Sequence, residues 1–392
     1  MMKTVGSVLD ANRGVGPGFG LLRLILAVSV IFVHCSLVDG GANAEAWWPY
    51  GARWGLANMA VPAFFVLSGF LVAGSMARSR VDTFLVNRVL RLVPALAVLV
   101  VVTALVVGPL VTSLSPAAYF GDRGFLTFFF NVLGRHQDTL PGVFEQNPEH
   151  IVNGSLWTLS HEMSCYILLC LLTGAGVFRR RALVLAFALG LYAAANIIWL
   201  ADRAGIALPH HELLTYVFVT RGAAKLVPLF LVGVLAWQYR ASIPLHWLPA
   251  VLSGAGLVAV AMAGDQSWAE MPPVWVLTAP MFAYVAIYLG LANWFVIPLL
   301  VGVDYSYGVY LYGFTVQQTL LHLMPGIGNY WLFFAISIVP TVILAMLSWH
   351  FVEKPALGLR HALQDRVVRL VDGIAALLPE RLSARLSRAE AR

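Results

Sequence analysis

The chain has 392 residues, of which 60% are hydrophobic and 11% charged, and its formal net charge is +6. Soluble domains hold roughly 45–50% apolar and about 25% charged residues, so most of this chain has lipid as its solvent. With three cysteines and a mean hydropathy of +0.80, that balance excludes a soluble enzyme, a disordered chain and a disulfide scaffold.

A helix needs roughly 20 apolar residues to cross a bilayer. Ten runs qualify, at about 21–38, 56–76, 92–112, 155–174, 182–200, 213–237, 244–263, 273–291, 304–323 and 330–351. None shows the alternation of barrel strands, so the predicted fold class is all-α, a polytopic membrane protein of about ten helices. The first run is long and has no small-residue cleavage site behind it, which predicts a first span rather than a cleaved leader. Residues 1–20 then form an N-terminal segment, 21–355 the membrane domain and 356–392 a basic tail. The longest stretch between spans before the tail is 113–154. It holds Phe125-Leu126-Thr127-Phe128-Phe129-Phe130, which is too short to cross and reads as an interfacial or re-entrant piece. Cys35, Cys165 and Cys170 lie in apolar runs and read as small buried hydrophobes.

Lysine and arginine set the orientation. With both termini in the cytoplasm, eighteen of them fall inside and four, Arg53, Arg123, Arg135 and Arg203, fall outside. That split predicts cytoplasmic termini and explains the positive charge with no nucleic-acid partner. In the tail, Leu363, Val367, Leu370, Ile374, Leu377, Leu378 and Leu382 recur among arginines. This is the pattern of an amphipathic helix on the inner leaflet.

An ionisable group inside a span costs a few kcal/mol, about 3 on insertion scales, so each needs a reason. Arg23 and His34 are eleven residues apart in the first span, about 16 Å along one helix and close to three turns, so they share a face. His34 is either a satisfied core histidine or a functional group aligned with that arginine. Arg88 and Arg91 stand at i, i+3 at the mouth of the third span. They read either as ordinary inner-face anchors or as a fork for phosphate. Arg221 and Lys225, at i, i+4 in the sixth, lie too deep for anchoring. They suit a water-filled, anion-accepting cavity better than a structural ion pair. Glu162, about two turns below the outer surface, has three candidate tasks: to orient His34, to pair with Arg221 or Lys225, or to form a structural salt bridge. Ser68 and Gly69 interrupt an apolar helix and serve close packing or a ligand. Ser306, Tyr307, Tyr310 and Tyr312 open the ninth span, where Asp304 with Ser306 is expected to cap the helix. No nucleotide loop, metal-ligand spacing or nucleophile elbow is present.

These landmarks, in this order, resemble the membrane acyltransferase-3 family from about Leu21 to Pro355. The first span resembles its Arg-ten residues-His signature (Arg23, His34). The second resembles Phe-Phe-x-x-Ser-Gly-Phe (Phe64, Phe65, Ser68, Gly69, Phe70). The R-x-x-R follows (Arg88, Arg91, then Pro94). The fourth span resembles Leu-Trp-x-Leu-x-x-Glu-x-x-x-Tyr (Leu156, Trp157, Leu159, Glu162, Tyr166), the ninth Ser-Tyr-x-x-Tyr-Leu (Ser306, Tyr307, Tyr310, Leu311), and the tenth ends in Glu-x-Pro (Glu353, Pro355). Two features depart from the pattern. Many members have a second histidine where Gly313 stands here, and some fuse an SGNH domain where this sequence runs into a basic tail.

The resemblance implies an O-acyltransferase of the bacterial inner (plasma) membrane. Its co-substrate would be acyl-CoA, most often acetyl-CoA, with no permanently bound cofactor or metal. Its acceptor would be a hydroxyl of a surface or lipid-linked saccharide on the outer side. It implies His34 as the general base, with Glu162 holding its tautomer, and Arg23, Arg88, Arg91 and Ser68 as donor-binding residues. Arg221, Lys225, Tyr307 and Tyr310 are candidates for the pore or the oxyanion site. The rival reading is a multispan transporter of a sugar, a lipid-linked saccharide or an organic anion, against which stands the lack of an evident internal repeat.

Overall fold

The computed structural model describes residues 3–12, 14, 16–38, 50–206, 208–215, 223–263, 271–294, 296–297 and 302–376. Among them no strand forms, and the fold is all-helical. The principal helices are α1 (Val5–Ala11), α2 (Phe19–Val38), α3 (Tyr50–Met76), α4 (Val81–Val102), α5 (Leu156–Gly174) and α6 (Arg181–Arg203). They continue with α7 (Ala223–Gln238), α8 (Trp247–Ala263), α9 (Pro272–Leu291), α10 (Ser306–Leu323), α11 (Tyr330–Ser348) and α12 (Arg360–Ala376).

All ten expected spans contain a helix, but seven among the described residues are long and apolar enough to cross a membrane: α2, α3, α4, α5, α6, α9 and α11. Of the other three, α7 and α8 are apolar but shorter. α10 is 18 residues long and is too polar, because it is an interior helix. It packs between α2 and α11, and its buried amide side chains donate to protein carbonyls, although Gln317 Oε1 is buried without a partner among the described residues. Gln317 Nε2 donates to the Ile31 carbonyl at 2.9 Å, and Gln318 Nε2 donates to those of Glu149 at 2.8 Å and Ile151 at 2.6 Å. Asn153 Nδ2 reaches the Leu311 carbonyl at 2.8 Å. Hydropathy measures preference for lipid, and a helix surrounded by protein is free of that demand.

α3 and α7 form the most intimate pair, and two glycines permit it. A Cβ on Gly69 would lie 1.9 Å from the Phe230 carbonyl oxygen, and one on Gly233 would lie 2.1 Å from that of Val66. The backbones therefore touch, as small residues allow in membranes. Ser68, one position along, turns away into a cavity.

α4 runs on through a π-helical turn, Thr103–Val107, just before Pro109. Gly108 N–H bonds to the Thr103 carbonyl, five residues back. The next bond in that register would need an N–H from Pro109, which has none. Tyr119, in the segment 113–154, donates its hydroxyl to the orphaned Ala104 carbonyl at 2.8 Å. Burial pushes the Tyr119 phenol up to about 12, so the donor keeps its proton. The phenylalanine-rich piece is a short helix, Arg123–Phe128, followed by a 3₁₀ turn, Phe129–Leu133, that packs on α4. Phe125 and Phe128 are buried, whereas Leu126 and Phe130 are exposed.

At the other end α12 lies along α4. Gln364 bonds to Asn87 at 2.8 Å and Asp372 pairs with Arg80 at 3.0 Å, while Leu370 and Ile374 stay exposed. Leu377, Leu378 and Leu382 lie outside the described residues.

Candidate active site

A cavity of about 450 Å³ lies among α2, α3, α4, α5 and α10. Arg23 enters it from α2, Ser68 from α3, Arg88 and Arg91 from α4, Glu162 from α5, and Tyr307 and Tyr310 from α10. Leu67, Leu71, Val72, Leu92 and Leu159 supply its apolar walls. The sequence spans more than two hundred positions between these residues, and the fold brings them to one wall-lined space.

One end is built on ion pairs. Arg91 gives Nη2 to Asp304 at 2.5 Å and Nη1 to Glu353 at 2.7 Å; Arg23 Nη1 meets the same Asp304 oxygen at 2.8 Å. Ser306 Oγ donates to Asp304 at 2.5 Å and Ser348 Oγ to Glu353 at 3.0 Å. Asp304 meets Ser306 at the first residue of α10, as expected, accepting its hydroxyl and its backbone N–H, whereas the Tyr305 side chain makes no cap. Asp304 also ties α2 to α4. Glu353, 1% exposed, sits on a π-helical turn, Trp349–Glu353, that precedes Pro355. Arg88 lies apart from this assembly, over the rings of Phe84 at 5.7 Å and Tyr166 at 5.9 Å.

In the middle, one Glu162 carboxylate oxygen accepts from the Tyr166 hydroxyl and, at 3.5 Å, from Ser68 Oγ. Ser68 and Tyr166 oxygens are themselves 3.4 Å apart. The bonds of Glu162 among the described residues thus go to Tyr166 and Ser68, not to His34 as the family resemblance implied, nor to Lys225 or a salt bridge, the other tasks left open by the sequence. Tyr307 gives its hydroxyl to the Leu92 carbonyl at 2.9 Å. At the far end Tyr310 shares a hydrogen bond with Thr158 Oγ1 at 2.5 Å and packs edge-on to Phe64 at 5.7 Å.

His34 does not line this cavity. Its ring stands edge-on to Phe314 at 5.0 Å, and its Nδ1 is buried with no hydrogen-bond partner. Phe314 is one turn beyond Tyr310 on α10, about 6 Å along the axis. Behind it, Gln317 holds Ile31 and Cys35 of α2, so the helix carrying His34 is fixed in rotation. Lys225 lies in the first turn of α7 and outside the cavity wall. Arg221 is outside the described residues.

Sequence reasoning gave Arg78 no role beyond anchoring, and none to Thr158 or to Ser75, all of which line the cavity. The signal for Asp304 and Glu353 was present, as carboxylates placed at expensive span edges. Their partners were not readable from one segment.

The profile of the acyltransferase domain family matches residues 17–350. Nodulation protein 10 of Rhizobium leguminosarum bv. viciae is 31% identical over 384 residues, covering 92% of this chain and 99% of that protein. The O-acetyl transferase of Shigella phage Sf6 is 26% identical over 352 residues, covering 86% and 94%. No solved structure matches the chain.

Proposed function

The chain belongs to the acyltransferase-3 family, and from that premise we propose that it moves an acetyl group from cytoplasmic acetyl-CoA to a saccharide hydroxyl on the outer side. The phage relative, an O-acetyl transferase, supports acetyl as the group and oxygen as its destination. The observation that carries the reading is the gradient along the cavity. Guanidiniums stand at one end, apolar walls and tyrosines follow, and His34 lies one turn beyond with an unengaged Nδ1. A phosphorylated nucleotide suits the first part, an uncharged pantetheine arm the second, and a general base the third.

A hydroxyl is a poor nucleophile at neutral pH. In this reading His34 takes its proton as the oxygen attacks the thioester carbonyl. The C–O bond forms, the C–S bond breaks, and the imidazolium returns the proton to the leaving thiolate. The developing oxyanion needs a donor in a dry site. Both tyrosine protons are engaged at rest: Tyr307 donates to the Leu92 carbonyl, and Tyr310 to Thr158 Oγ1, whose own proton goes to the Ser155 carbonyl. Tyr310 is the better placed, because it stands one turn from the Phe314 ring that meets His34. The thioester has to pass Tyr310 to reach His34, so the Tyr310–Thr158 contact opens during turnover.

The test uses membranes holding the wild type or His34→Ala, radiolabelled acetyl-CoA and extracted glycans. Label entering an alkali-labile glycan ester with the wild type alone is the expected result. Glycan movement across vesicles with no acetyl-CoA consumed would overturn the reading in favour of transport.

A further inference from the structure

The two arginines of the R-x-x-R spacing have different surroundings. Arg91 commits one Nη to each of two carboxylates, and Asp304 is shared with Arg23. Two guanidiniums and two carboxylates form a neutral, hydrogen-bonded assembly that pins α2, α4, α10 and the turn after α11. It leaves no net charge for a ligand. Arg91 is also packed between the rings of Tyr307 at 5.4 Å and Trp349 at 5.7 Å, and its side chain is 15% exposed.

Arg88 and Arg78 line the same cavity without such compensation. Neither makes a hydrogen bond or ion pair among the described residues, and Arg88 Nε is buried with no partner. Burying a donor without an acceptor is costly, and an anion in the cavity removes that cost. Arg78 follows the last turn of α3, is exposed, and stands at the rim beside Gly14 and Gly74. Its Nη1 lies within ordinary contact distance of both glycines, 3.7 Å from a Cβ built on Gly14 and 3.5 Å from one built on Gly74. The order is thus an inner arginine, partly covered by two rings, and an outer one at the mouth.

We infer that Arg78 and Arg88, and not Arg91, clamp the phosphates of the donor. This rests on the acyl-CoA reading above and assigns its ends. With the thioester inward, the diphosphate follows the pantetheine arm and meets Arg88. The ribose 3′-phosphate, outermost, meets Arg78. Arg91 and Arg23 are positioning residues that shape the wall.

The experiment measures equilibrium binding of coenzyme A and of dephospho-coenzyme A, which lacks the 3′-phosphate, to the purified full-length protein in nanodiscs. The wild type is expected to favour coenzyme A. Arg78→Ala is expected to lose about tenfold for coenzyme A, the scale of one charge-assisted hydrogen bond, and to bind the two ligands alike. Arg88→Ala is expected to lose about tenfold for both. Neither side chain supports a packed ion pair, so thermal midpoints are expected to stay near wild type. Arg91→Lys is expected to lower the midpoint while keeping the preference for coenzyme A. Wild-type binding that is unchanged in Arg78→Ala and Arg88→Ala would overturn the clamp and leave the donor reading standing. An Arg91→Lys protein of wild-type midpoint that loses coenzyme A tenfold would overturn the exclusion of Arg91. A wild type that binds neither ligand would overturn both the clamp and the donor reading.

Discussion

His34 and Glu162 illustrate what a single side chain reveals and what it withholds. The eleven-residue step from Arg23 to His34 is a property of one helix and is legible in the sequence. Of the partners of Glu162, Tyr166 stands at i+4 on the same helix and is within reach of a sequence reading, whereas Ser68 is not, because that contact depends on how α5 is rotated against α3. His34→Ala is accordingly expected to abolish acetyl transfer while coenzyme A binding and the thermal midpoint stay at wild-type values. Transfer at the wild-type rate would remove His34 as the base. Glu162→Gln, which keeps shape and loses charge, is expected to slow transfer without moving its pH profile, since the carboxylate does not touch His34. A displacement of that profile by about one unit, equivalent to about 1.4 kcal/mol of interaction, would show that the charge reaches the base.

Between helices, two devices fix the packing around the cavity, and the loss of each has a measurable cost. Gly69 and Gly233 let α3 and α7 meet backbone to backbone. Gly69→Ala would place a methyl group 1.9 Å from the Phe230 oxygen. Overpacking of this kind costs about 1–3 kcal/mol, to be read as a lower thermal midpoint in detergent; an unchanged midpoint would mean that the helices separate freely. Asp304 is the second device. Asp304→Asn leaves Arg23 and Arg91 facing each other with one carboxylate fewer, and breaking a buried pair costs about 3–5 kcal/mol. With the Asp304 side chain 22% exposed, the lower end of that range is expected. The R-x-x-R spacing places both arginines on one face of α4, but it cannot distinguish the paired one from the other. The carboxylates that make the difference are 213 and 262 positions away.

For the whole molecule, the outward sides of the outer helices carry exposed leucine, isoleucine and valine, such as Leu189, Ile197, Leu252 and Val339, as a lipid solvent demands. Polar side chains turn inward on α10. The asymmetry of lysine and arginine predicts an inside and an outside. Asp10, exposed on α1, and Thr139, exposed in the segment 113–154, test it. An impermeant maleimide is expected to label Thr139→Cys in intact cells and Asp10→Cys only after permeabilisation. The reverse pattern would invert the orientation and place the guanidinium end of the cavity away from cytoplasmic coenzyme A.

Hydropathy, charge asymmetry and the i, i+3 or eleven-residue spacings belong to single segments. The sequence alone therefore determined a helical membrane protein, its expected orientation, its family resemblance and seven residues that come to line one cavity. Three matters were decided only when helices distant in sequence packed together. α10 is interior and needs no lipid-grade hydropathy; Glu162 meets Ser68 of α3 rather than His34; and Arg91 is paired while Arg88 is not. Each depends on the rotation of one helix against another, which is set by close contacts such as those at Gly69 and Asp304, and the periodicity of one segment carries no trace of its neighbour's angle.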